Sequence, residues 1–312
     1  DSNAYTVSGT GGQPMNAADF VGGVLPSGIV TFTAGQATQT VTVNVQGDSE
    51  LESDESFVFA LGTPAAGATV STGSVTTAVT NDDDVLSISA VTATALEGNG
   101  AGNGATLTFV VNRTGDLSTS STVSWALAGS GGNPINSGDV VAMSGNLTFL
   151  PGVTSQTITV QVAPDYIYEA DETLTVTLQN PSAGTTLGTA TASGTIQNDD
   201  SMFQIAATTT NVVEGNTGSN STHTFTVTRT GSIGNAATVD WAISGATDGS
   251  DFVTTAGTLS FAAGETVKTI TLQAIGDTTV ESNENFTVTL SNASDNVEIR
   301  TPSANGSIVS DD

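Results

Sequence analysis

The chain repeats itself, and that repeat confines it to a string of similar domains. Residues 125–139, WALAGSGGNPINSGD, align without a gap on residues 5–19, YTVSGTGGQPMNAAD, and a looser copy runs over 241–251. Each copy continues into a short apolar run ending at Phe32, Phe149 or Phe261, then a turn carrying Gly35, Gly152 or Gly264. Strict alternation follows: Val41, Val43 and Val45; Ile158, Val160 and Val162; Ile270, Leu272 and Ala274. Alternation with a period of two predicts a strand with one buried face. An acidic turn and another alternating strand come next, over 57–61, 174–178 and 286–290. The copies close on Asn81-Asp82-Asp83-Asp84, Asn198-Asp199-Asp200 and Ser310-Asp311-Asp312. A period of about 115 residues is the size of a seven-stranded sandwich.

Copies two and three open on Leu96-Glu97-Gly98-Asn99 and Val213-Glu214-Gly215-Asn216. Each opening leads into a strand that ends in Arg113-Thr114-Gly115 or Arg229-Thr230-Gly231. Copy one has no such segment and is expected to lack its two opening strands. The expected domains are 1–83, incomplete, then 84–200 and 201–312. The expected fold class is all-β: Thr and Val favour strands, Gly, Asn and Ser favour turns, and no stretch carries helical spacing.

Charge excludes several partners. The chain has 31 acids against 4 bases, a formal net charge of −27. The bases are Arg113, Arg229, Lys268 and Arg300. Nucleic acid and anionic lipid both need clustered Lys and Arg, so neither is an expected partner. No apolar run is long enough to span a bilayer, and no secretory leader is recognisable. With no cysteine there is neither a disulfide nor a thiolate metal site. The single histidine, His223, lies in the strand pattern 222–227 and reads as an ordinary strand residue. Zinc catalysis and a repeated Ser-His-Asp triad are therefore not expected.

The acids themselves are clustered. Copy one has Asp19, Asp48, Glu52, Asp82, Asp83 and Asp84; copy two has Glu97, Asp139, Asp165, Glu169, Asp199 and Asp200; copy three has Glu214, Asp251, Asp277, Glu281, Asp311 and Asp312. Glu50, Asp54, Glu55, Asp171, Glu172 and Glu284 lie among them. All fall at strand ends or in connections, and alternate connections of an antiparallel sandwich return to one end. Carboxylates crowded at one pole repel and take up protons unless a cation is present. Calcium suits such a set, because it accepts six to eight oxygens in flexible geometry, whereas magnesium demands an octahedron and keeps its waters. Zinc and copper would want His or Cys. The competing reading is a set of solvated turn acids, and recurrence in three copies favours the metal, with more than one ion per domain.

A carboxylate pair also serves glycosidases, but each cluster here holds acids alone. Trp125 and Trp241 occupy matching strand positions that suit core packing rather than a sugar platform. An enzyme is not expected. The sequons at Asn112, Asn220 and Asn285 are expected by chance in a chain so rich in Thr and Ser.

The run Asp48-x-x-x-Glu52-x-Asp54-Glu55-x-Phe57, with its alternating strand and closing Asn-Asp-Asp, resembles the Calx-beta domain. Residues 165–174 and 277–286, the Glu-Gly-Asn openings, the Arg-Thr-Gly turns and the pairs Asp19-Phe20 and Asp251-Phe252 carry the same resemblance, which covers essentially the whole chain. It implies tandem immunoglobulin-like Greek-key sandwiches with calcium at one end. It also implies ligands at Glu97 and Glu214, at Asp19, Asp139 and Asp251, at the pairs Asp48/Glu52, Asp165/Glu169 and Asp277/Glu281, and at the closing aspartates. Departures are the missing opening Glu of copy one, Val140 where the other copies have Phe, and Asn283 where they have Asp54 and Asp171.

The closing acids of one copy run directly into the next, at Asp84-Val85-Leu86 and Asp200-Ser201-Met202. The calcium pole is thus expected at the joint. The expected function is a calcium-stiffened stalk or fibre of a bacterial extracellular or cell-surface protein, adhesin-like. A first alternative is a filament subunit whose incomplete first domain is filled by a strand of another chain. A second is the calcium sensor of a membrane transporter. Any host-surface or sugar ligand would lie on loops such as 129–138 or the Gly-Asn tract 98–104, and the sequence does not identify one.

Overall fold

The structure is a computed structural model that describes residues 1–65, 67–100, 104–245, 251–294 and 297–312. The middle of the 98–104 tract lies outside the described residues. The described residues are all-β, with a short 3-10 turn at Ala17–Asp19. Among the described residues no helix is long and apolar enough to cross a membrane.

The second and third copies are two-sheet sandwiches of the same plan. In the second, one sheet runs Ser155–Gln161, Thr106–Gly115, Asp84–Thr92, Thr185–Leu187. The facing sheet runs Thr94–Leu96, Thr191–Gln197, Glu172–Gln179, Ser121–Ser130, Ser144–Phe149. The opening strand changes sheets between Thr92 and Thr94, so that its second half pairs in parallel with Thr191–Gln197. In the third copy the same orders recur: Val267–Ala274, Ser221–Gly231, Ser201–Ala207, Glu298–Thr301 in one sheet, and Asn211–Val213, Ser303–Val309, Glu284–Ser291, Ala237–Gly245, Ala256–Phe261 in the other.

Alternation places the cores. Ile158, Val160 and Val162, and in the third copy Ile270, Leu272 and Ala274, point inward and are buried. They meet Phe109 and Phe225, which the strand registers set opposite Ile158 and Ile270. Burying an aliphatic or aromatic side chain of this kind contributes roughly 1.5–3 kcal/mol. The two tryptophans sit at matching places, each facing a cross-strand glycine: Trp125 opposite Gly145, Trp241 opposite Gly257. A Cβ on either glycine would come within 2.7 or 3.0 Å of the indole, so the ring occupies the space a side chain would need. Tyr5 and Gly28 repeat the arrangement in the first copy. These aromatics are packing residues.

The first copy forms one four-stranded sheet among the described residues, Ser27–Thr31, Ser2–Gly9, Glu55–Leu61, Ser74–Val79. The alternation at Val41, Val43 and Val45 predicts a strand, and this expectation is corrected: the segment makes no ladder beyond a single bridge from Val45 to Phe20. A strand is stable as a member of a pair. In the other copies the partner is Thr106–Gly115 or Ser221–Gly231, and no described strand takes that place beside residues 41–45. The core of the first copy is correspondingly small, built on Val7, Met15, Phe20 and Phe57.

His223 is part of its strand, as expected, but it is a core residue. It is wholly buried, at the place Leu107 takes in the second copy, and packs edge-on to Phe286 with ring centroids 5.0 Å apart. Neither ring nitrogen has a hydrogen-bond partner. Burial lowers its pKa below the ordinary 6.5, so it is neutral at physiological pH.

Candidate metal centres

Three elements meet at one pole of the second domain: the opening Glu-Gly turn, the acidic turn 165–172 and the closing aspartates. The fold holds each by local hydrogen bonds. Asp165 Oδ1 accepts the backbone N–H of Ile167 at 2.6 Å, a short side-chain turn that leaves its other oxygen for the pole. Asp48 does the same with Glu50 at 2.8 Å and Asp277 with Thr279 at 2.6 Å. The N–H of Gly98 donates to Asp199 Oδ1 at 2.9 Å, and Asn99 Nδ2 donates to Oδ2 at 3.1 Å. Asp199 thus fixes the opening turn. Asp311 repeats the role on Gly215 N–H at 3.0 Å.

Asn198 clamps the acidic turn to the closing acids. Its Oδ1 accepts from Glu169 N–H at 3.1 Å and its Nδ2 donates to the Asp200 carbonyl at 3.0 Å. Asn81 makes the matching pair with Glu52 N–H and the Asp83 carbonyl, at 3.2 and 2.8 Å. The residue before the Glu that opens Glu55–Leu61, Glu172–Gln179 or Glu284–Ser291 also binds backbone: Asp54 accepts from Asn81 N–H, Asp171 from Asn198 N–H and Asn283 from Ser310 N–H. The change from Asp to Asn at 283 therefore preserves the bond, since an amide oxygen accepts as a carboxylate does.

With the turns fixed, two carboxylate sets converge in the second domain. Oxygens of Glu97, Asp165 and Asp200 lie within 4.8 Å of one another, and so do oxygens of Asp139, Glu169 and Glu172. In the third domain Asp251, Glu281 and Glu284 converge in the same way. Glu172 and Glu284 thus stand beside the expected ligands. Their signal in the sequence is the strand start, where a residue next to a turn still faces the pole.

Electrostatics mark these groups as crowded. Glu97 is 6% exposed. Burial, then the charges of Asp165, Glu169, Asp200 and Asp199, push its carboxyl up to about 8. Burial followed by Asp139 and Glu169 raises Glu172 to about 7, and burial followed by Asp199 and Asp165 raises Asp200 to about 6. Glu169 rises chiefly through burial, then Asp139. In the third domain Glu214 rises through burial, then Asp277 and Glu281. In the first, burial comes before all other causes for Glu52, Glu55 and Asp83, followed by Asp48 for Glu52, Asp19 for Glu55 and Asp82 for Asp83. All three copies therefore gather acids at the pole, including Asp19, Asp48 and Glu52 of the copy that has no opening Glu.

Asp84 stands apart. It is 2% exposed, forms an ion pair with Arg113 and accepts from Ser121 Oγ at 2.5 Å. As the first residue of a strand it turns into the second domain, whereas Asp83 stays with the acids of the first. The structure thus commits one of the expected ligands, Asp84, to neutralising a buried guanidinium.

The donor set fits a hard cation. All donors are carboxylate oxygens, and Asp200 Oδ2 is buried without a hydrogen-bond partner. An orphaned buried oxygen costs about 1–3 kcal/mol or more when charged, and a divalent ion would satisfy it. Glu97, Asp165 and Asp200 would hold one ion, and Asp139, Glu169 and Glu172 another.

The family model described as the Calx-beta domain matches residues 3–84, 88–201 and 196–312. The Adhesion G-protein coupled receptor V1 of Danio rerio is 30% identical over 178 residues, 55% of this chain, and the match spans 3% of the receptor's length. Among solved structures, CBD12 from CALX1.2 is 26% identical over 67% of this chain and 80% of its own, with a TM-score of 0.33. The apo-form Calx CBD1 domain is 29% identical over 38% of this chain and 99% of its own, with a TM-score of 0.32.

Proposed function

From the premise that this chain belongs to the Calx-beta family, we propose that it is a calcium-binding structural segment whose ions stiffen the joints of an extended extracellular or cell-surface protein. Calx-beta domains are calcium-binding modules rather than catalytic ones, and the acids here are placed for a cation. The observation that carries the reading is position. Asp200 belongs to the Glu97 cluster, and the next residue, Ser201, starts the first strand of the third domain. Asp165 and Glu169 flank Tyr168, whose N–H donates across the joint to Glu298 Oε2 at 3.2 Å. An ion held there neutralises the repulsion of both turn and linker and so fixes the joint. Its loss leaves several carboxylates facing one another across a short link.

A stalk or fibre uses such joints in series, which is why three copies favour an adhesin-like structural segment over a single regulatory sensor. Small-angle scattering with and without chelator tests this. A radius of gyration and melting temperature unchanged by chelation would overturn it.

The uncovered sheet of the first domain favours a second reading. A groove of about 760 Å³ is lined by Val30 and Phe59 of this sheet and by Phe32, Val41 and Val43 from the segment that follows Ser27–Thr31. The occupant that fits is an extended strand alternating as Leu107, Phe109 and Val111 do in the second domain. Supplied by another chain, it would link subunits into a filament. Gel filtration over a wide concentration range decides it: a monomer at every concentration contradicts filament assembly.

A further inference from the structure

The turns that carry the pole acids touch the next domain through one recurring position. Leu51, three residues after Asp48, packs on Gly115, and Tyr168, three residues after Asp165, packs on Gly231. Both glycines end an Arg-Thr-Gly turn with positive φ, +105° and +98°. A Cβ there would come within 2.5 Å of the Asp83 carbonyl and 2.7 Å of Leu51 Cδ1, or within 2.3 Å of the Asp200 carbonyl and 2.6 Å of Tyr168 Cδ2, so the close approach needs glycine. The following backbone is tied in the same way at both joints: Asp116 N–H to the Asp83 carbonyl at 2.9 Å, Ser232 N–H to the Asp200 carbonyl at 2.8 Å.

Beyond this shared contact the joints differ. At the second, Tyr168 N–H donates to Glu298 Oε2 at 3.2 Å, and the Tyr168 carbonyl accepts from Arg300 Nη2 at 2.5 Å. Arg300 in turn holds both oxygens of Glu298, at 3.0 and 2.9 Å. Its guanidinium lies 5.5 Å from the centroid of the Tyr168 ring. Strand pairing identifies the counterparts in the second domain. Glu298 pairs with Met202 as Thr186 pairs with Val85, which sets Arg300 where that domain has Gly188. Neither charged partner exists at the first joint. Among the described residues, the turn 48–52 makes no side-chain hydrogen bond or ion pair with the second domain. Arg300 is also one of four bases in the chain, and its charge acts on the pole acid Glu169.

We propose that Tyr168, Glu298 and Arg300 form a latch that keeps the second joint docked without metal, while the first joint, which has only the contacts shared by both joints, docks when cations neutralise its pole. The latch stands on protein contacts. The contrast between joints rests on the calcium reading above. A bidentate Arg–carboxylate pair and a stacked guanidinium are individually modest at a half-exposed site. They suffice here because the two domains are already tethered and the second contact is intramolecular. The result is a chain that stiffens in order: one joint is set from the start, the other follows calcium.

The chain lacks cysteine, so spin-label pairs can be placed at will on exposed residues: Val75→Cys with Leu150→Cys across the first joint, Leu150→Cys with Val267→Cys across the second. Electron–electron distances are measured on the full chain in calcium and in chelator, with calcium calorimetry on the same samples. In chelator the first distribution should widen about twofold and the second stay narrow. Arg300→Gln should widen the second about twofold in chelator with unchanged domain melting temperatures, and Arg300→Lys should fall between. A second joint already broad in chelator, or one indifferent to Arg300→Gln, overturns the latch. If calorimetry shows no calcium binding, the contrast between joints falls with that reading, while the Arg300→Gln comparison still decides the latch.

Discussion

In the metal-free protein the second domain should grow less stable as pH rises, the reverse of ordinary acid denaturation. Glu97 is the main cause. Its carboxyl is raised from the usual 4.5 to about 8. Between those values the folded state holds a proton that the unfolded chain has released, so stability falls as pH increases through this window. At about 1.4 kcal/mol per pH unit, going from about pH 5.5 to about pH 8.5 removes about 3 kcal/mol. Glu172 and Asp200, raised to about 7 and about 6, act in the same direction, and because the acids at this pole feel one another's charge they titrate with Glu97 as a set. For a domain of this size, 3 kcal/mol lowers the melting temperature by roughly 10 °C. Calorimetric scans in chelator at the two pH values read it directly. Glu97→Gln should at least halve the fall and raise the melting temperature at the higher pH. Calcium should cancel the fall in the native chain and do so poorly in the variant. A metal-free melting temperature that is flat or rises over this range would refute the reasoning.

Asp84→Ala should destabilise the second domain by about 3–5 kcal/mol, because it leaves Arg113 buried without its counterion, and should leave calcium stoichiometry unchanged; denaturant unfolding and calorimetry check the two halves. His223→Leu should stabilise the third domain by about 1–3 kcal/mol, since two partnerless ring nitrogens leave the core. It should also remove a pH effect of the opposite sign to that of Glu97: with a pKa lowered by burial, the native histidine contributes fully above its ordinary 6.5 and costs stability as pH falls below it. Asn283→Asp should alter neither calcium stoichiometry nor the melting temperature beyond a degree or two, because position 283 accepts a backbone N–H in either form.

The all-β class and the Calx-beta relationship were legible because both rest on local pattern. Ile158, Val160 and Val162 alternate, and they face the core. Val41, Val43 and Val45 alternate equally well and do not form a ladder, because a strand depends on a partner that no local pattern reports. The acids show the same divide. Their gathering at a pole could be read from recurrence, but Asp83 and Asp84 are adjacent and alike, and only the strand that begins at Asp84 turns its side chain inward to Arg113. Glu172 and Glu284 lay among the acids of the sequence pattern but outside the expected ligand set, since a strand's first residue can face either the pole or the sheet. Asn81 and Asn198 looked like part of a motif, and their work as clamps between turn and linker appears once both segments are placed.

The most direct test of the central claim is titration of metal-stripped protein with calcium by calorimetry, repeated in two buffers of different ionisation enthalpy near pH 7. The account predicts more than one ion in the second domain and release of protons on binding, because Glu97 is protonated at that pH in the empty site. Absence of binding heat, or binding that releases no proton, would contradict it.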